Sequence, residues 1–101
     1  MAAQKLSATE LQLALNSLPG WQIQEGKLYK KYKFNSFATA LGWMVSVGVH
    51  AETMGHHPEW FNVYNTVQVN LITHDIGNAI SNLDVELAKK MEELAAPLLS
   101  K

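Results

Sequence analysis

Two stretches of this chain alternate apolar and polar residues with a period of two. From Leu28 to Phe34 the residues Tyr29, Lys31 and Lys33 share one face. From Thr66 to Thr73 the residues Val67, Val69 and Leu71 share one face, and Gln68 and Asn70 the other. Period two is the signature of a half-buried strand. Strands with one polar face build antiparallel sheets, and their helices cover a single side.

The remaining elements fit around that sheet. Trp21 and Ile23 alternate with Gln22 and Gln24, and Glu25-Gly26 supplies a turn, so this strand and the one from Leu28 form a hairpin. A strand from about Glu59 to Tyr64, turned at Asn65, pairs with the one from Thr66. Ser7-Ala8-Thr9-Glu10 is a capping box, followed by Leu11, Leu15 and Leu18 at helical spacing and stopped at Pro19-Gly20. Asn35 or Ser36 caps a second helix, with Phe37, Leu41, Met44, Val45 and Gly48 as its expected inner stripe. That helix runs to about Gly55 and ends before Pro58. Ser81-Asn82-Leu83-Asp84 is a second capping box, opening a helix with Leu83, Leu87, Met91 and Leu94 inside and an end near Pro97. The expected fold is α+β and two-layered: a four-stranded antiparallel sheet with three helices on one face, in the order α-β-β-α-β-β-α. At 101 residues and 48% hydrophobic content, positions 1–101 read as one domain. A chain of that size buries roughly 60–65% of its unfolded surface.

Composition removes whole classes of function. With no cysteine there is no disulfide, thiolate metal site or thiol nucleophile. All 8 basic residues are lysines, and the net charge is −1. Without arginine the bidentate reader of phosphate and guanine is missing, so direct nucleic-acid binding is not expected. No apolar run approaches the roughly 20 residues that span a bilayer. Met1 to Lys5 lead into polar residues rather than a signal segment. A soluble cytoplasmic protein is expected, without membrane contact.

The four histidines, His50, His56, His57 and His74, lie in the middle of the chain. His56-His57-Pro58 marks the junction of helix and third strand, and His74 the end of the fourth. The start of one strand and the end of its hairpin partner lie side by side, so His74 is expected beside His56 and His57. Three readings are open. The histidines could be half-exposed structural groups, the reading given to His50. Three imidazoles with Glu52 or Asp75 could hold zinc, although helical HxxxH spacing is absent. Imidazole also titrates near neutrality, so a pair can supply an acid and a base without metal. No G-x-S-x-G elbow and no glycine-rich phosphate loop competes. Glu52, four residues before His56, and Asp84 read as orienting carboxylates, with helix capping an equal reading for Asp84. Trp60, Phe61 and Tyr64 are either core or an aromatic wall for a flat ring.

The run Glu52-Thr53-Met54-Gly55-His56-His57-Pro58-Glu59-Trp60-Phe61-Asn62-Val63-Tyr64, then Thr73-His74-Asp75 and Asp84, closely resembles the pterin-4a-carbinolamine dehydratase family. That family includes the dimerisation cofactor of the hepatocyte homeodomain transcription factor. Five residues separate Pro58 from Tyr64 and nine separate Tyr64 from His74, as in the family pattern. Gly20-Trp21 and Phe34-Asn35-Ser36-Phe37 resemble its N-terminal half, so the likeness spans essentially the whole chain.

The resemblance implies dehydration of 4a-hydroxytetrahydropterin to quinonoid dihydropterin and water, a step in tetrahydrobiopterin recycling, with no metal and no cofactor. It implies His56, His57 and His74 as catalytic, the segments His56-His57-Pro58 and Thr73-His74-Asp75-Ile76 as substrate contacts, and Glu52, Trp60 and Asp84 as support. His56 or His57 would protonate the 4a-hydroxyl, and His74 would help take the N5 proton. A homodimer or homotetramer is implied. The other class of function in the family is a non-catalytic module for a transcription factor or an aromatic amino-acid hydroxylase, which would place the protein in the nucleus as well. Asp75 and Ile76 depart from many relatives, and the loop from Ile76 to Asn82 is longer than in animal members.

Overall fold

The computed structural model describes residues 2–99. Local chemistry sets the first helix, α1 (Ala8–Leu15). The Ser7 hydroxyl accepts from the Glu10 N–H, and the Glu10 carboxylate accepts from the Ser7 N–H. The helix ends earlier than Pro19-Gly20 implies, at Leu15, and tight turns then carry the chain to the buried Leu18. Strands β1 (Gln22–Gln24) and β2 (Lys27–Lys33) form the first hairpin. Its two-residue turn takes positive φ at both Glu25 (53°) and Gly26 (77°), the conformation that matches strand twist.

Helix α2 (Phe37–Met54) is capped by Ser36, whose hydroxyl accepts from the Thr39 N–H. Strands β3 (Glu59–Val63) and β4 (Thr66–Leu71) form the second hairpin. Its left-handed residue is Tyr64 (φ 54°) rather than Asn65. The Asn65 side chain instead donates to the Phe34 carbonyl, tying the two hairpins together. A single 3-10 turn (His74–Ile76) precedes α3 (Asn82–Leu99). That helix runs two residues past Pro97. The hydrogen bond the proline cannot donate would fall on the carbonyl of Glu93, an exposed residue.

The sheet order is β1-β2-β4-β3, antiparallel throughout. Leu28, Tyr32, Val67, Val69 and Leu71 are buried under the helices, and Tyr29, Lys31, Lys33, Gln68 and Asn70 lie on the opposite face. The architecture is α+β, with the expected order and all three helices on one side.

The expected inner stripe of α2 is not the observed one. The inner stripe of α2 is Ala40, Trp43, Val47 and Ala51. Of the residues expected there, Met44 packs on the core and Gly48 is half-buried, but Phe37, Leu41 and Val45 are exposed. This helix is apolar nearly all round, so several stripes satisfy helical spacing. Trp43 decides among them. Its ring sits 4.6 Å from Tyr32, 5.1 Å from Phe34 and 6.2 Å from Trp60, centroid to centroid, and its Nε1 donates to the Met91 carbonyl.

Sequence reasoning also missed a polar hub under the first hairpin. The Glu92 carboxylate on α3 accepts from Trp21 Nε1 at 3.0 Å, from Lys30 Nζ at 2.6 Å and from the Tyr32 hydroxyl. Burial, then the Glu92 carboxylate, push the Tyr32 hydroxyl far above its ordinary value. The folded state therefore keeps this proton at pH values where the unfolded chain loses it. The resulting stabilisation is complete below about pH 10 and is lost as the pH rises further. The urea midpoint should fall between about pH 9 and pH 11, and Tyr32→Phe should flatten that fall. At neutral pH the variant should cost about 1–3 kcal/mol.

Candidate active site

The site forms where three elements end together. Gly55 takes φ 69° and closes α2, its N–H turning back to the Ala51 and Glu52 carbonyls. The two histidines that follow are off the helix and diverge. His56 turns inward and is 8% exposed, whereas the His57 side chain is 63% exposed. Across from them, Thr73 and Ala79 exchange backbone hydrogen bonds and close a loop that carries His74. Gly77 (φ 85°) and Asn78 (φ 59°) make that loop's reversal.

A cleft of about 180 Å³ opens between these segments. It is lined by Gly55, His56, His57, Ile72, Thr73, His74 and Asp75. The expected return of His74 to His56 and His57 is thus what the fold produces. Two larger grooves, one between α2 and α3 over Trp43 and one on the outer sheet face at Phe61, contain no histidine.

Each histidine has a different partner. His56 Nε2 lies 2.6 Å from Asp84 Oδ1, and the Asp84 side chain is fully buried. Asp84 Oδ2 accepts from the Thr73 hydroxyl and from the Ser81 N–H, each at 2.9 Å. Asp84 therefore caps α3 and also holds a histidine, so both readings of that residue apply. Glu52 does not reach His56, because Gly55 ends the helical register. It meets His57 Nε2 instead, at 2.8 Å and in solvent. His74 Nδ1 is 2.7 Å from Asn78 Oδ1, and its Nε2 is 3.2 Å from Glu59 Oε2. The hydrogen bond from Lys27 Nζ to Glu59, at 2.6 Å, is the main cause that holds the Glu59 carboxyl below the usual range, with His74 adding to it.

Pro58 and Ile76 are half-buried and do not line the cleft. Trp60 packs toward Trp43, and Phe61 and Tyr64 are exposed away from the histidines, so no aromatic wall stands over them. His50 is half-buried on α2, apart from the lining. Glu59, Lys27, Asn78 and Ser81 enter the site's hydrogen-bond network without having been singled out by the sequence. Of these only Ser81 carried a signal, as the first residue of the second capping box. Among the described residues, no group of three or more His, Cys, Asp or Glu side chains is gathered as for a metal ion.

Comparison with known proteins agrees with this arrangement. The family model for pterin 4 alpha carbinolamine dehydratase matches residues 4–94. The chain belongs to the pterin-4a-carbinolamine dehydratase family. A relative from Solibacter usitatus, provisionally named a pterin-4-alpha-carbinolamine dehydratase, is 48% identical over 92 residues, covering 91% of this chain and 96% of its own. A relative from Brucella ovis with the same provisional name is 42% identical over 97 residues, covering 94% and 99%. A crystal structure from Brucella melitensis, described as a transcriptional coactivator/pterin dehydratase, superposes with a TM-score of 0.87 at 41% identity. That match covers 91% of this chain and 99% of the other. Membership in the dehydratase family therefore extends through every element that builds the cleft. No helix among the described residues is long and apolar enough to cross a membrane.

Proposed function

We propose that this protein dehydrates 4a-hydroxytetrahydropterins to quinonoid dihydropterins by histidine acid–base catalysis, serving tetrahydrobiopterin recycling in the cytoplasm. The observation that carries this reading is the convergence of His56, His57 and His74 on one cleft, each ring fixed by its own partner. A carbinolamine holds a hydroxyl and an amine on one carbon. An acid must protonate the departing 4a-hydroxyl, which leaves as water. A base must take the N5 proton as the C=N bond forms. Imidazoles fill both roles near neutrality, and neither step calls for a metal or a redox cofactor.

The hydrogen bonds around the rings support one division of labour. The two ring nitrogens of His74 already face Asn78 and Glu59, so this residue reaches substrate only by exchanging the longer contact, to Glu59. Glu59 keeps Lys27 when that happens. His57 is held from outside by Glu52 and remains open to the cleft. Of the segments expected to touch substrate, His56, His57, His74 and Asp75 line the cleft and keep that role, whereas Pro58 and Ile76 stand off the lining and the polar groups of Thr73 are engaged within the protein; Glu52, Trp60 and Asp84 serve as support.

The test is dehydration of freshly generated 4a-hydroxytetrahydrobiopterin, followed by absorbance with a chelator present. Acceleration over the spontaneous reaction, unchanged by the chelator, is expected. An uncatalysed rate would remove the enzymatic reading in favour of a binding module, and a chelator-sensitive rate would remove its metal independence.

The same proposal includes a homo-oligomer. Phe37, Leu41, Val45 and Val49 form an exposed apolar stripe on α2, 46–66% exposed, and edge strand β3 exposes Phe61 and Val63. Apolar stripes and unpaired edges of this kind are ordinarily covered. A mass above the 11.2 kDa of one chain is expected in light scattering. Leu41→Lys with Val45→Lys should lower that mass if α2 is the contact. A wild-type monomer would overturn the oligomer. The same surface offers a place for a transcription-factor or hydroxylase partner; the description of the Brucella melitensis structure as a transcriptional coactivator favours the former.

A further inference from the structure

Behind His56 lies a set of buried hydroxyls that the proposed reaction does not use. Thr73 is 3% exposed, and Ser81 and Asp84 are fully buried. Their hydrogen bonds have a determined direction. The Thr73 hydroxyl donates to Asp84 Oδ2 at 2.9 Å. A hydroxyl has one proton, so in the 2.6 Å contact between Thr73 Oγ1 and Ser81 Oγ the donor is Ser81. Ser81 Oγ in turn accepts from the Leu83 N–H at 3.1 Å. The chain of donors therefore runs from Leu83 through Ser81 and Thr73 into Asp84.

Asp84 Oδ2 receives a second donor, the Ser81 N–H. Two protons already directed at one oxygen suit a carboxylate, which then presents Oδ1 to His56 as an acceptor. The proton in the 2.6 Å contact belongs on His56 Nε2. Among the described residues the other ring nitrogen, Nδ1, has no hydrogen-bond partner, and no buried side-chain nitrogen or oxygen lacks one. Nδ1 is therefore the atom of His56 with access to the cleft it lines. Thr73, by contrast, has its hydroxyl, its N–H and its carbonyl all engaged within the protein.

We propose that Thr73 and Ser81 are positioning residues. Their hydroxyls fix the Asp84 carboxylate, which holds the His56 proton on Nε2 and presents an unprotonated Nδ1 to substrate. This assigns Thr73 a task behind the histidine, distinct from direct contact with the pterin. The effect on rate rests on the dehydratase reading, whereas the tautomer does not.

The experiment is long-range ¹H–¹⁵N correlation of the histidine rings, paired with steady-state kinetics. In the wild type, neutral His56 should show a protonated Nε2, a persistent Nε2–H signal and an unprotonated Nδ1. Thr73→Val should broaden that Nε2–H signal and lower kcat about tenfold, a typical cost of losing a partner that orients a functional histidine. KM should stay within about twofold, since the hydroxyl does not touch substrate. Thr73→Ser, which keeps the hydroxyl, should restore both signal and kcat. Ser81→Ala, which removes only the far end of the chain, should show the same changes in smaller degree and serves if Thr73→Val does not fold. A wild-type His56 carrying its proton on Nδ1 would overturn the proposal. So would a folded Thr73→Val with the wild-type signal and kcat. A wild type with the expected tautomer but no turnover would sustain the positioning network and remove the dehydratase reading alone.

Discussion

His56→Ala should lower the dehydration rate by about 10²–10⁴, the usual worth of one general acid or base. The size of that loss follows from how His56 is held. Of the three histidines in the cleft it alone is buried, and its partner is a fully buried carboxylate. His57 and His74 have side chains 63% and 65% exposed, with partners that solvent can replace. Alanine at either should therefore cost less than alanine at His56. The ordering, read as kcat at saturating substrate, is the check. If His57→Ala or His74→Ala costs more than His56→Ala, the buried pair is not the centre of the chemistry. Asp84→Asn extends the test, because an amide turned with its nitrogen toward His56 offers a donor where the ring needs an acceptor. The variant should lose activity comparably to His56→Ala, as in other sites where a carboxylate sets a histidine's tautomer.

Trp43→Ala should destabilise the fold by about 3–5 kcal/mol, the range for removing a buried large aromatic. A domain of this size has about 5–15 kcal/mol in hand, so the variant should sit near the edge of unfolding. Trp43 is 1% exposed and meets aromatic rings from β2, the strand's end and β3, while its Nε1 satisfies a carbonyl on α3. Its removal would empty the one volume shared by all the layers. Urea unfolding at neutral pH measures the loss. A cost below about 2 kcal/mol would mean that the neighbouring rings collapse into the space.

Much of this was written in local sequence. The Ser7/Glu10 capping box, the Glu25-Gly26 turn, the stop at Gly55 and Pro58 and the alternation in β4 act over a few residues, and each appears as expected. The meeting of His56, His57 and His74 was legible because hairpin geometry alone requires it. What was not legible depended on distant partners. The exposed face of α2 could not be separated from its buried face, since residues of both stripes are apolar, and Trp43 chooses only when β2 is in place. Glu52 looked like a partner of His56 while the helix was imagined to continue, and the left-handed Gly55 gives it to His57. Glu59 and Lys27 come to His74 from two different strands, and Glu92 binds three residues 60 to 71 positions earlier. No pattern along the chain announces such contacts.

The Glu92 hub also bears on the order of assembly. Trp21, Lys30 and Tyr32 emerge early in synthesis, and their shared acceptor arrives only with α3. Asp84, the anchor of His56, lies on that same helix, two turns earlier. The first hairpin and the histidine cleft are therefore completed by one late event, the docking of α3. Contacts of such separation slow the closure of a fold. A nascent chain that already carries all of its histidines still has no ordered His56–Asp84 pair until that helix docks.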